Sequence, residues 1–189
     1  MKNIAIFASG SGTNAENLIH FFRTDPSGEV KLVLSNKPDA MVLNRAENLG
    51  IESFAFSKSQ FYESDDVIEF LHQRGIDFIV LAGFLWLVPD SLLKAYDNKI
   101  VNIHPALLPA YGGKGMFGEQ VHKSVIENRE KQSGITIHQV NQNYDEGRIV
   151  FQATCTVDPG ETPETLAQKI HRLEYEHYPR VVAGLLNEL

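Results

Sequence analysis

Short apolar runs alternate along the chain with stretches whose apolar residues recur every three to four positions. The first pattern reads as buried strands and the second as amphipathic helices. A strand is predicted over Asn3–Ala8, then a turn rich in Gly and Ser, then a helix from Asn14 to Phe22. Asp25-Pro26-Ser27-Gly28 is a turn, Lys31–Ser35 a second strand, and Met41–Leu49 a helix stopped by Gly50. Ser53–Phe56 is a weaker strand, and Asp65–Arg74 a helix stopped by Gly75. Asp77–Ala82 (DFIVLA) is apolar after its first residue, as a central strand buried on both faces requires. A short helix starts near Pro89 and Ile100–His104 is the fifth strand.

Residues 105–118 hold two prolines and four glycines and read as a long loop, followed by a helix over Glu119–Asn128. Gly134–Val140 and Ile149–Val157 are strands separated by the polar stretch Asn141–Gly147, either as an antiparallel hairpin or through a wide loop. A long last helix begins at Thr162-Pro163-Glu164 with Thr162 as its cap, and Pro179 is expected to kink or interrupt it. Strands alternating with helices predict one α/β domain over residues 1–189. Its sheet would be mostly parallel and twisted, with helices on both faces and an antiparallel C-terminal part.

Composition narrows the partners. Seventeen Lys and Arg against 24 Asp and Glu give a net charge of -7, so no bulk positive charge exists to hold a nucleic-acid backbone. The lone Cys155 cannot form an intrachain disulfide, which suits a reducing compartment. The apolar start of the chain is too short for a secretory signal, and no apolar stretch approaches the roughly 20 residues of a membrane span. The expectation is a cytoplasmic protein acting on small molecules, without nucleic-acid or membrane partners.

Two places carry candidate chemistry. Ser9-Gly10-Ser11-Gly12-Thr13-Asn14 lies between the first strand and the first helix, where glycine backbone and helix N–H groups suit an anion. It is neither the dinucleotide fingerprint nor a Walker loop, and its plainer reading is a tight turn capped by Thr13 or Asn14. Asn102-Ile103-His104-Pro105 ends the fifth strand. Alternation puts Asn102 and His104 on one side of the sheet at its carboxyl edge, where α/β folds bind ligands. An amide donor beside an imidazole suits acyl or formyl transfer, by oxyanion stabilisation and proton transfer. Asp145 joins them only if its loop folds over the same edge. The seven histidines show no zinc-ligand spacing, so no metal is expected.

Ala8-Ser9-Gly10-Ser11-Gly12-Thr13-Asn14, Ser35-Asn36-Lys37, Leu81-Ala82-Gly83-Phe84, Asn102-Ile103-His104-Pro105-Ala106-Leu107-Leu108-Pro109 and Asp145-Glu146-Gly147 occur in that order. Together they resemble the phosphoribosylglycinamide formyltransferases, the folate-dependent glycinamide ribonucleotide transformylases, nearly end to end. The resemblance implies a Rossmann-like formyltransferase fold and 10-formyltetrahydrofolate as co-substrate. It implies Asn102, His104 and Asp145 as the catalytic trio, and Gly10, Ser11, Gly12, Thr13, Asn14 and Glu174 as ribonucleotide-binding residues. It further implies a folate pocket lined by Leu85, Trp86, Leu87, Val88, Val140, Asn141 and Tyr144. The expected assembly is a monomer or homodimer.

Three departures from the resemblance stand out. Trp86 occupies a position where many relatives have arginine. The loop Tyr111–Gly118 is longer than usual, and His122 beyond it aligns with a family histidine. No arginine lies near Phe56–Glu63, where Lys58 is the available cation. The sibling formyltransferases that act on methionyl-tRNA carry a further C-terminal domain, which is not expected here.

Overall fold

The computed structural model describes all residues, Met1–Leu189. Its strands are β1 (Lys2–Phe7), β2 (Gly28–Ser35), β3 (Glu52–Ala55), β4 (Phe78–Leu81), β5 (Ile100–His104), β6 (Gln132–Gln139) and β7 (Ile149–Thr156). They form one seven-stranded sheet in the order β3-β2-β1-β4-β5-β6-β7. Pairing is parallel from β3 through β5 and antiparallel for β5–β6 and β6–β7. The polar stretch 141–147 therefore joins an antiparallel pair. Order reverses between β1 and β4, which opens a crevice beyond their carboxyl ends.

The helices are α1 (Thr13–Phe22), α2 (Met41–Asn48), α3 (Lys58–Tyr62), α4 (Asp66–Gln73), α5 (Asp90–Ala95), α6 (Glu119–Glu127) and α7 (Pro163–Asn187). Helix α1 buries Ala15, Leu18, Ile19 and Phe22, the spacing of a single apolar stripe. Strand alternation divides the apolar residues between two cores, one on each face of the sheet. Phe78 and Val80 of β4 join one core, with α1, α2, α6 and α7, while Ile79 and Leu81 join the other, with α3, α4 and α5. Both faces of β4 are buried, as its continuous apolar run predicts.

Two expectations need correction. The hydrophobic pattern predicts no helix between Phe56 and Asp65, yet α3 forms there, with Ser57 and Gln60 making a full capping box at its start. Pro179 does not interrupt α7, which continues for 25 residues. Proline leaves the carbonyl four residues earlier without its helical donor. Here that carbonyl belongs to Tyr175, and Asn17 Nδ2 of α1 donates to it at 3.0 Å.

Helix α7 also anchors the sheet beneath the crevice. The fully buried Tyr178 hydroxyl donates to the Leu81 carbonyl at 2.8 Å and lies 3.3 Å from the Val101 carbonyl. A buried acceptor stripped of its partner costs about 1–3 kcal/mol. We predict that Tyr178→Phe lowers unfolding stability by about that amount, with the urea m-value unchanged. An unchanged unfolding midpoint would contradict this anchoring role.

Candidate active site

The turn after β1 is shaped by Gly12. Its φ of 77° is left-handed, and a β-carbon there would lie 2.4 Å from Val42 Cγ2, so both backbone and packing demand glycine. No side chain caps α1, so neither Thr13 nor Asn14 acts as its cap. Val42 N–H donates to the Gly10 carbonyl at 3.1 Å and Arg45 Nε to the Ser11 carbonyl at 2.8 Å. Both carbonyls are thereby engaged by α2. None of the N–H groups of Gly10, Ser11, Gly12, Thr13 and Asn14 has a backbone acceptor. Free donors at the positive end of a helix dipole form an anion site.

Ser9 ties this turn to the next wall. The buried Ser9 hydroxyl donates to Asn36 Oδ1 at 2.7 Å and accepts from Leu85 N–H at 3.0 Å, while Ser9 N–H donates to the Gly83 carbonyl. The segment after β4 is thus fixed against the carboxyl ends of β1 and β2. Leu85, Trp86, Leu87 and Val88 line the same cavity as the glycine turn, as do Val140 and Tyr144. Asn141 does not line it. Its Oδ1 accepts from Asn143 N–H at 3.0 Å, which shapes the loop instead. Lys58 lies off the cavity wall on exposed α3, whereas Lys37 and Lys114 lie on it. The cavity is about 670 Å³, the size of a drug-like or cofactor site.

Asn102, His104 and Asp145 converge on one wall of this cavity. The antiparallel register sets Asn102 opposite His138 and His104 opposite Thr136. Asn102 Nδ2 lies 3.1 Å from His138 Nε2, and His138 Nδ1 lies 2.9 Å from the Gln139 carbonyl. His138 thus lies between the Asn102 amide and the carbonyl of the residue that follows it. His104 Nε2 donates to the Tyr111 carbonyl at 2.7 Å, so Nδ1 is the nitrogen left to exchange a proton. That Nδ1 is 3.5 Å from Asp145 Oδ2.

Asp145 sits at φ 57°, a left-handed position that Asp tolerates better than most residues. Its Oδ2 accepts from Gly113 N–H at 3.0 Å, and its Oδ1 is 3.5 Å from His138 Nε2. Burial pushes its carboxyl up, but the His138 and His104 rings and the Gly113 N–H outweigh this and hold it below the usual carboxylate range. Burial lowers the His104 pKa, with the Asp145 charge and the Tyr111 carbonyl opposing. The site thus keeps an ionised carboxylate beside a largely buried imidazole.

The end of the cavity near α7 is polar and holds unmet bonds. Glu174 is 6% exposed and its Oε2 accepts from Asn14 Nδ2 at 2.9 Å. Burial raises its pKa, opposed by Asn14 and His171. Asn14 Oδ1 and His122 Nδ1 are buried without any protein partner. No group of three or more His, Cys, Asp or Glu side chains gathers to hold a metal ion.

Asn102, His104, Asp145, the glycine turn and Glu174, which the resemblance implies as site residues, all line one cavity, and the loop of Asp145 does fold over the edge that carries Asn102 and His104. Sequence reasoning missed Ser9 as a brace and His138 as the partner of both Asn102 and Asp145. A histidine near a strand end was visible. Its position opposite Asn102 depends on the β5–β6 register.

A mostly parallel α/β sheet with an anion turn after β1 and a polar trio at its carboxyl edge defines a small-molecule enzyme of the group-transfer type. Residues 2–182 match the formyl transferase family, and the chain belongs to that family. It is 41% identical over 99% of its length to the chloroplastic phosphoribosylglycinamide formyltransferase of Arabidopsis thaliana, of which it spans 66%. It is 39% identical to the Bacillus subtilis phosphoribosylglycinamide formyltransferase, covering 98% of this chain and 95% of that protein. The crystal structure of glycinamide ribonucleotide transformylase 1 from Symbiobacterium toebii superposes with a TM-score of 0.90 at 33% identity, over 100% of this chain and 89% of that one.

The buried His122 yields a pH prediction. Burial lowers its pKa to about 4, with His171 and His104 adding to the effect and Glu119 opposing. Between the ordinary value of 6.5 and about 4, the unfolded chain binds the proton that the fold refuses. Stability from this residue is therefore complete above the higher value and declines as pH falls toward the lower. We predict that His122→Gln, which cannot titrate, loses less stability than the native chain between neutral and acidic pH. Urea unfolding at a series of pH values measures it, and parallel losses would refute the assignment.

Proposed function

We propose that this chain transfers the formyl group of 10-formyltetrahydrofolate to the amine of glycinamide ribonucleotide, giving formylglycinamide ribonucleotide and tetrahydrofolate in purine biosynthesis. The observation that carries the reading is that Asn102, His104 and Asp145 line one cavity together with two unlike sets of residues, one polar and one apolar. One set offers free N–H groups for a phosphate and the buried pair Asn14–Glu174 for polar groups of a ribonucleotide. The other offers Leu85, Trp86, Leu87, Val88, Val140 and Tyr144 to a flat, largely apolar pterin. Relatives named phosphoribosylglycinamide formyltransferase support the same reading.

The chemistry follows from the atoms available. The substrate amine attacks the formyl carbon directly, forming a carbon–nitrogen bond and pushing charge onto the formyl oxygen. The Asn102 amide is held beside His138, and an amide N–H is available to the oxyanion. His104 in its protonated form adds a second donor through Nδ1. Asp145 holds that proton in place and receives the amine proton through a water. Collapse breaks the bond from carbon to the folate nitrogen, which takes up a proton. No covalent enzyme intermediate is needed. The reading includes a cytoplasmic, metal-free enzyme acting on small molecules as a monomer or homodimer.

The test is a transfer assay with both substrates, followed by folate absorbance. The native chain is expected to turn over. His104→Ala and Asp145→Asn are each expected to lower turnover by about 10²–10⁴-fold, the usual range for acid–base groups. Near-native turnover in either variant would remove its assigned role, and an inactive native chain would overturn the reading.

A further inference from the structure

Helix α2 grips the glycine turn at three points. Val42 N–H donates to the Gly10 carbonyl at 3.1 Å, and the Val42 side chain fills the space that a β-carbon on Gly12 would need. The third point is Arg45. Its Nε donates to the Ser11 carbonyl at 2.8 Å, and its Nη1 pairs with Glu16 in the first turn of α1. The remaining Nη2 faces Met41 Sδ at 3.9 Å. One guanidinium thus joins the turn to both helices that flank it. Arg45 itself does not line the cavity, and the transfer chemistry does not use it.

What Arg45 controls follows from peptide geometry. A trans peptide is planar, with its carbonyl and its N–H pointing in opposite directions. The Ser11 carbonyl and the Gly12 N–H belong to one such plane, so the bond from Arg45 also fixes where the Gly12 N–H points. That N–H has no backbone acceptor, and Gly12 lines the cavity. This plane is the one in the turn most able to flip. A flip changes ψ at Ser11 and φ at Gly12, and glycine accepts φ of either sign at little cost. The flipped plane would present the Ser11 carbonyl where an anion needs a donor, which replaces attraction by repulsion. Val42 restrains the preceding plane through the Gly10 carbonyl, and Arg45 is the one protein donor on the Ser11 carbonyl.

We infer that Arg45 is a positioning residue for phosphate recognition, locking the Ser11–Gly12 peptide with its N–H toward the ligand. This rests on the reading above that the turn holds the ribonucleotide phosphate. The bond matters here more than the charge, because Glu16 offsets the guanidinium. Lysine replaces it only in part, since a single nitrogen stands in for a planar fork that meets a carbonyl and a carboxylate at once.

The experiment titrates inorganic phosphate into the isotope-labelled chain, follows the amide NMR signals of Gly10–Asn14, and measures steady-state transfer in parallel. In the native chain phosphate is expected to move those signals. Arg45→Met is expected to weaken phosphate binding and raise the ribonucleotide KM by about ten- to hundredfold, the worth of one hydrogen bond to a charged group. Its kcat and carrier KM are expected to change little. Arg45→Lys is expected to recover part of the loss. Glu16→Gln, which keeps Arg45 on the Ser11 carbonyl, is expected to stay within about threefold of the native chain in both measurements, as for a partly exposed ion pair. Unchanged phosphate affinity and ribonucleotide KM in Arg45→Met would overturn the inference. So would an equal rise in the carrier KM, which marks a general loosening, or an equal loss in Glu16→Gln. A native chain whose turn signals ignore phosphate would overturn the anion reading of the turn itself, and the inference with it.

Discussion

A carboxylate can be buried only where donors and positive charge replace the water it loses. Asp145, with a side chain 11% exposed, meets that condition with the Gly113 N–H and the rings of His104 and His138. Those groups come from three separate segments: the end of β5, the end of β6 and the glycine loop. The antiparallel turn-back of β6 along β5 is what allows this. It sets His138 against Asn102 and then carries the chain round to return Asp145 to the same edge.

The rest of the cavity is organised around that charge by contrast. At the glycine turn the charge is positive and supplied by backbone, because α2 engages the carbonyls of Gly10 and Ser11 and leaves the N–H groups free. Along Leu85–Val88 there is little charge, and the walls are aliphatic and aromatic side chains. Ser9 holds the two regions in register through bonds to Asn36, Gly83 and Leu85.

Much of this is legible in the sequence because local rules carry it. The apolar run Phe78–Leu81 announces a central strand, and Asn102-Ile103-His104 places two polar residues at a strand end. What the sequence hides depends on partners far along the chain. Pro179 reads as a helix breaker, but Asn17, 158 residues before Tyr175, supplies the donor that the freed carbonyl needs. His138 gains its role from strand register, and a shift of one residue would have turned it to the other face. Helix α3 is a different case. Its signal, Ser57 and Gln60 three apart, is local, but five residues are too few to show a helical period.

The central claim is that the Asp145 charge and the His104 ring act as one electrostatic unit. Burial drives the His104 pKa down and Asp145 holds it up. The direct measurement is an NMR titration of the His104 ring nitrogens in the native protein and in Asp145→Asn, which keeps the shape and removes the charge. With the charge gone, only the Tyr111 carbonyl opposes desolvation, and the account predicts a lower His104 pKa in the variant than in the native protein. A pKa that is unchanged or higher in Asp145→Asn would contradict it.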